Sequence, residues 1–178
     1  MRRAILTAVA VLLVVPGIGS AQDKAAKIAN ATSAAPESVS KYAKVMDWDN
    51  TVLREGNNGF TCFPDNPDSP GNDPMCLDAA WLNWAHAWMT KTEPTYDQVG
   101  IAYMLAGGSP GSNTDPYAEG PTADNEWISE GGPHLMMLVP NPSTLSDMPT
   151  DAANGGPWVM WRDTPYVHIM IPTPGHGM

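Results

Sequence analysis

Apolar residues in the middle of the chain recur at spacings of four, three and four: Leu77, Trp81, Trp84 and Trp88. That is helical spacing and puts all four on one face. It predicts one main helix over about 74–91. Asp73 would be its N-cap and Pro74 its first residue, where a missing N–H costs nothing. Lys91 falls in the last turn and Pro94 stops the helix. The rest of the chain consists of short runs divided by turn residues. Residues 43–48 and 51–55 flank Asp49-Asn50, a pair suited to a two-residue hairpin turn. Asn57-Asn58-Gly59 is a second turn signal and residues 60–63 a third strand, which predicts a meander. Residues 100–105 and 134–139 read as strands, the second apolar on both faces. Residues 158–162 and 166–171 read as a hairpin about Asp163-Thr164-Pro165. Between them lie a Gly-, Ser-, Pro- and Asn-rich loop at 107–124 and an irregular stretch at 140–157 with a helical turn near 144–147. The predicted class is α+β: an antiparallel sheet of hairpins with the one helix packed on one face. The tryptophan stripe is the natural packing surface, because each buried indole removes about 150–250 Å² from water. Exposed, the same stripe would suit a sugar.

The N-terminal pattern differs. Arg2 and Arg3 precede an apolar run at 4–15, Pro16 and Gly17 break it, and Gly19-Ser20-Ala21 supplies small residues. This is the layout of a secretory signal peptide at 1–21, with cleavage expected after Ala21 and Gln22 as the new N-terminus. The run is too short to span a bilayer, and no later segment is long and apolar enough to do so. Residues 22–40, rich in Ala, Ser, Thr and Asn, read as a flexible leader. Residues 41–172 read as a single globular domain, and 173–178 as a frayed tail.

Export changes how the charge and the cysteines are read. Loss of Arg2 and Arg3 leaves seven basic residues against nineteen acidic, moving the formal charge from -10 to -12. That disfavours nucleic acid and anionic lipid as partners and favours cations. Cys62 and Cys76 are the only cysteines. In an oxidising compartment they are expected to pair, closing a loop of about 15 residues worth roughly 3 kcal/mol. They lack the paired spacing of a zinc site.

Each of the four histidines is followed closely by methionine: His86 by Met89, His134 by Met136, His168 by Met170 and His176 by Met178. Residues two apart on a strand share a face. If the two strands were antiparallel neighbours with His134 opposite Met170, then Met136 would face His168. Two imidazoles and two thioethers would then form a patch suited to copper, above all Cu(I). His134, Met136, His168 and Met170 are therefore the candidate metal ligands. Gly107-Gly108-Ser109-Pro110-Gly111 matches the G-x-S-x-G pattern of an esterase nucleophile, but the residues after it do not favour the required helix. Asp65, Asp68 and Asp73 with Asn66 and Asn72 offer oxygen ligands, without the spacing of a calcium loop.

Several blocks carry a resemblance. They are Val52-Leu53-Arg54-Glu55-Gly56 with Asn57-Asn58-Gly59-Phe60-Thr61-Cys62, and Pro70-Gly71-Asn72-Asp73-Pro74-Met75-Cys76. Later come Gly100-Ile101-Ala102-Tyr103-Met104-Leu105, Ser112-Asn113-Thr114-Asp115-Pro116, Gly132-Pro133-His134 and Trp158-Val159-Met160-Trp161 to His168. In these the chain resembles a family of small exported bacterial proteins with no assigned activity. The resemblance implies a bacterial, exported, single-domain protein and supplies no catalytic residues. The expected function is a small binding domain, periplasmic or extracellular, whose ligand the sequence does not specify, a metal such as copper being the most specific candidate. The alternatives are a hydrolase using the loop at 107–115, or a carbohydrate or cell-envelope binding module.

Overall fold

The computed structural model describes residues 18–174. Most of the expected signal peptide (1–17) and the end of the tail (175–178, including His176) lie outside the described residues.

Two helices, α1 (Ile18–Ser33) and α2 (Glu37–Ser40), precede the sheet. Strands β1 (Lys44–Met46), β2 (Val52–Arg54), β3 (Thr61–Phe63) and β4 (Met75–Leu77) follow, then helix α3 (Ala79–Thr90). The chain continues through β5 (Gly100–Met104), β6 (Gly111–Ser112), β7 (Trp127–Ile128) and β8 (His134–Leu138). A 3₁₀ turn at Pro142–Leu145 leads to β9 (Trp158–Met160) and β10 (His168–Pro172). Eight strands form one sheet in the order β2-β1-β3-β4-β5-β8-β10-β9, and β6 pairs with β7 in a separate ribbon. The fold thus combines helices with a mostly antiparallel sheet. None of the described helices is long and apolar enough to cross a membrane.

Three features differ from the sequence-based expectation. The first strands are not a meander: β3 returns beside β1 and runs parallel to it, with Val45 opposite Cys62. The β1–β2 hairpin itself forms, with Asn50 at the left-handed φ of 68° that its turn requires. Gly56 then lets the chain cross under β1, since a Cβ there would lie 2.0 Å from Lys44 N.

The main helix also begins later than expected. Met75, Cys76 and Leu77 are drawn into the sheet between β3 and β5, so Asp73 and Pro74 cannot open a helix. Asp78 is the N-cap instead. One of its carboxylate oxygens accepts from Trp81 N at 2.9 Å and the other from Ile101 N at 2.6 Å, tying the helix start to β5. Gly100 lets α3 press onto the sheet: a Cβ there would sit 3.0–3.1 Å from Ala80, Leu138 and Trp81.

The supposed leader is folded. Ala31, Ala34 and Ala35 of α1 and its exit are buried against Val45, Leu53 and the cystine. Leu105 N donates to Ala34 O at 2.9 Å, and Lys27 pairs with Asp47 at 2.7 Å. A run of small residues shows no apolar face by size, yet alanine is the best helix former and its shortness permits close approach to the sheet. Helices therefore cover both faces. α1 lies on the face bearing Cys62, Cys76 and Tyr103, and α3 on the face bearing Leu77, Ala102 and Leu138. The far half of the α1 side is closed by the 3₁₀ turn, through Leu145 against Val159 and Ile169. Cys62 and Cys76 stand directly opposite on β3 and β4 and form the expected disulfide, with their Cα atoms 3.9 Å apart.

Candidate functional site

Strands β8 and β10 are antiparallel neighbours, as the metal hypothesis needs, but their register is displaced by two residues from the one expected. Met170 faces Met136, and His134 faces Pro172. A two-residue slip keeps every side chain on its face, so His134, Met136, His168 and Met170 still share one side of the sheet. It does separate the imidazoles: four residues along β10 divide His168 from the partner of His134, about 13 Å of strand. The expected quartet around a single metal is therefore not formed.

The strands outside the pair bring two further methionines opposite the histidines. On β9, Met160 faces His168, and on β5, Met104 faces His134. The α3 side of the sheet thus carries three direct cross-strand pairs: Met160–His168, Met170–Met136 and Met104–His134. Directly opposed Cβ atoms lie about 5 Å apart and diagonal neighbours about 7–8 Å, within the reach of methionine side chains. His168 has Met160 opposite, Met170 two residues on and Met136 diagonally placed. Met160 and Met170 pack in one cluster with Met136 and Trp161 against it. His134 has Met104, Met136 and Met170 in the corresponding positions. Met104 and Met160 were not identified from sequence, because only the strand order places them here.

Both imidazoles are held alike. His134 Nδ1 lies 2.6 Å from Gly132 O, and His168 Nδ1 lies 2.9 Å from Tyr166 O. A carbonyl only accepts, so Nδ1 carries the proton and Nε2 keeps its lone pair. Burial holds both rings neutral. It pushes the His168 pKa down to about 4 and lowers that of His134, outweighing the bond from each ring to its carbonyl. A neutral ring whose second nitrogen is fixed by a carbonyl is the form in which histidine serves as a metal ligand.

Aromatic rings enclose His168. Trp81, Trp84 and Trp161 stand 5.4, 5.3 and 5.1 Å from it, centroid to centroid, each nearly edge-on. Trp161 lies parallel to Trp84 at 5.7 Å and close to parallel with Trp88 at 6.0 Å. Tyr117 stacks on Trp88 at 6.3 Å. The indole N–H groups tie the loop at 112–117 to these rings: Trp161 donates to Ser112 O, Trp88 to Pro116 O and Trp158 to Asn113 Oδ1. The helical stripe is core, as its spacing predicts: Trp81 and Trp84 are buried and Trp88 half-buried. His86 faces outward, away from the stripe.

Ser109, Asp65 and Asp73 are engaged in local hydrogen bonds. Ser109 follows β5 and precedes β6, so no helix forms the elbow of an esterase. Its hydroxyl donates to Asp73 at 2.6 Å and accepts from Gly71 N at 3.2 Å. Asp73 also accepts from Asn66 N, and Asp65 accepts from Asp73 N, so these loop acids cap backbone N–H groups. Among the described residues, no three or more His, Cys, Asp or Glu side chains are grouped as a metal would need. Met136, Met160 and Met170 pack together on the face that also bears His168. Comparison with protein families, with curated proteins and with solved structures found no match to this chain.

Proposed function

We propose that this protein is an exported binding domain for Cu(I), held on the α3 side of the sheet by His168 with Met160, Met170 and Met136. The observation that carries this reading is the cross-strand pairing of Met160 with His168 and of Met170 with Met136 on one face. Thioethers select soft Cu(I), imidazole is compatible with it, and an apolar, water-poor surrounding favours the lower charge. His134 with Met104 offers a second pair at the other end of the same face. The acidic exterior suits an approaching cation. Export is supported by the N-terminal pattern and agrees with the disulfide. The local structure does not favour a hydrolase or a glycan binder. Ser109 gives its hydrogen bond to a carboxylate, and the aromatic stripe is packed.

The test is anaerobic Cu(I) competition against a chromophoric chelator such as bicinchoninate. The Met136→Leu/Met170→Leu variant keeps volume and apolarity and removes two thioethers. Its Cu(I) affinity should fall at least tenfold, with the metal-free melting temperature little changed. Equal affinity in the variant and the parent would overturn the assignment.

A further inference from the structure

We infer that this protein forms a two-fold symmetric dimer in which the free edge of β2 pairs with β2 of a second copy. The inference is independent of the copper reading. The two edges of the eight-stranded sheet differ. At β9 the outer edge is closed, because Val159 N donates to Pro149 O and Trp161 N to Asn113 O, both at 2.8 Å. β2 carries no strand on its outer side. Such an edge offers backbone N–H and C=O groups to another chain. The side chains around it are apolar. Tyr42, Trp48 and Val52 are 50%, 36% and 40% exposed, three of the six large hydrophobic side chains exposed among the described residues. Leu53 turns to the α1 side, so Val52 turns to the other, opposite Met46. α1 packs on β1 to β4, whereas α3 packs on β4 and β5, so the face bearing Val52 extends beyond α3.

Charge selects the occupant. Residues 18–55, which build α1, α2, β1 and β2, carry five basic and five acidic side chains. Residues 56–174 carry two basic and fourteen acidic. Two copies that approach through the acidic part repel each other, and at the β2 end that repulsion is least. Both signs are present there on exposed or half-buried residues. Asp49 lies in the turn before β2 and Glu55 follows its last residue, with Lys41 beside Tyr42 and Lys44 on β1. A patch of mixed sign is complementary to a second copy of itself, which is what an isologous contact requires. A two-fold axis at this edge runs the two β2 strands antiparallel and continues the sheet from one copy into the other. With only three residues in each strand, each Val52 then lies close to its counterpart.

The experiment is sedimentation velocity of the purified, metal-free protein over a wide range of concentration, where the parent should pass from monomer to dimer and stop there. Val52→Glu and Val52→Lys each set like charges against each other and should weaken dimerisation at least tenfold. Val52 is exposed in the single chain, so the urea midpoint of each variant, measured at monomeric concentration, should stay near the parent's. An equimolar mixture of the two variants should restore the dimer, because an isologous contact sets residue 52 against itself. Val99→Glu changes an exposed valine next to β5 and should leave association unchanged. A parent that stays monomeric at every concentration overturns the inference. So does a Val52→Glu variant that dimerises like the parent, a mixture that fails to associate, or parental association that continues beyond a dimer.

Discussion

Acid should destabilise this protein through His168. The ring is 2% exposed and packed edge-on against three indoles, and burial holds its pKa at about 4, against 6.5 for an ordinary histidine. Between those two values the unfolded chain binds a proton that the folded chain refuses. Unfolding then takes up protons, and stability rises with pH across that window. The contribution is complete above pH 6.5, is lost as pH falls from 6.5 toward 4, and is flat below. At about 1.4 kcal/mol per unit, the depression is worth about 3 kcal/mol. His134 is lowered by the same cause and adds to the loss in the same direction. The assay is urea unfolding, with chelator present, at intervals from pH 7 to pH 4. His168→Leu removes the titrating group, so its stability should fall less steeply with acid, by at most about 1.4 kcal/mol per pH unit. The comparison is of slopes, so any constant loss from the substitution cancels. A variant with the parental slope would refute the claim that His168 is held neutral by burial.

Two further substitutions test the frame that positions the site. Cys62→Ala/Cys76→Ala opens the β3–β4 clasp under α1, and the urea-derived stability should fall by about 3 kcal/mol, as for a loop of this length. Asp78→Ala removes the acceptor for both Trp81 N and Ile101 N. It should cost about 1–3 kcal/mol by thermal unfolding, while Asp78→Asn, which keeps a capping oxygen, should cost less.

Much of the fold was legible because its signals are local. The spacing of Trp81, Trp84 and Trp88 identified α3 and its buried face, and Asp49-Asn50 located the β1–β2 turn. The misplaced start of α3 has a definite cause. Asp73-Pro74 and Asp78 are both acceptable openings for a helix, and local chemistry does not choose between them. The choice is made by the cystine, which holds Cys76 opposite Cys62, and by β5 on the other side. The α1 segment was misread for a different reason. Its packing uses Ala31, Ala34 and Ala35, whose side chains add little hydrophobic weight to a pattern but allow a helix to approach the sheet closely. The short β6–β7 ribbon was missed because two-residue strands in a Gly- and Asn-rich loop leave no periodicity to read.

The candidate site shows where a sequence pattern stops being informative. That His134 and Met136 share a face, and that His168 and Met170 share one, follows from the two-residue period of a strand. That the two strands are neighbours on one sheet is a fact of topology, set by the return of the chain through β9. The register is a third, independent fact. The turn before β10 contains Trp161 and Asp163 at left-handed φ values of 55° and 64°, and it sets which residue of β10 faces Met160. A slip of two residues leaves every side chain on its face and changes every cross-strand neighbour. It moves the two imidazoles apart, brings Met136 against Met170, and makes Met160 and Met104 the partners of the histidines. Residue type and face could therefore be read along the chain, whereas the grouping of these side chains depends on the register among four strands.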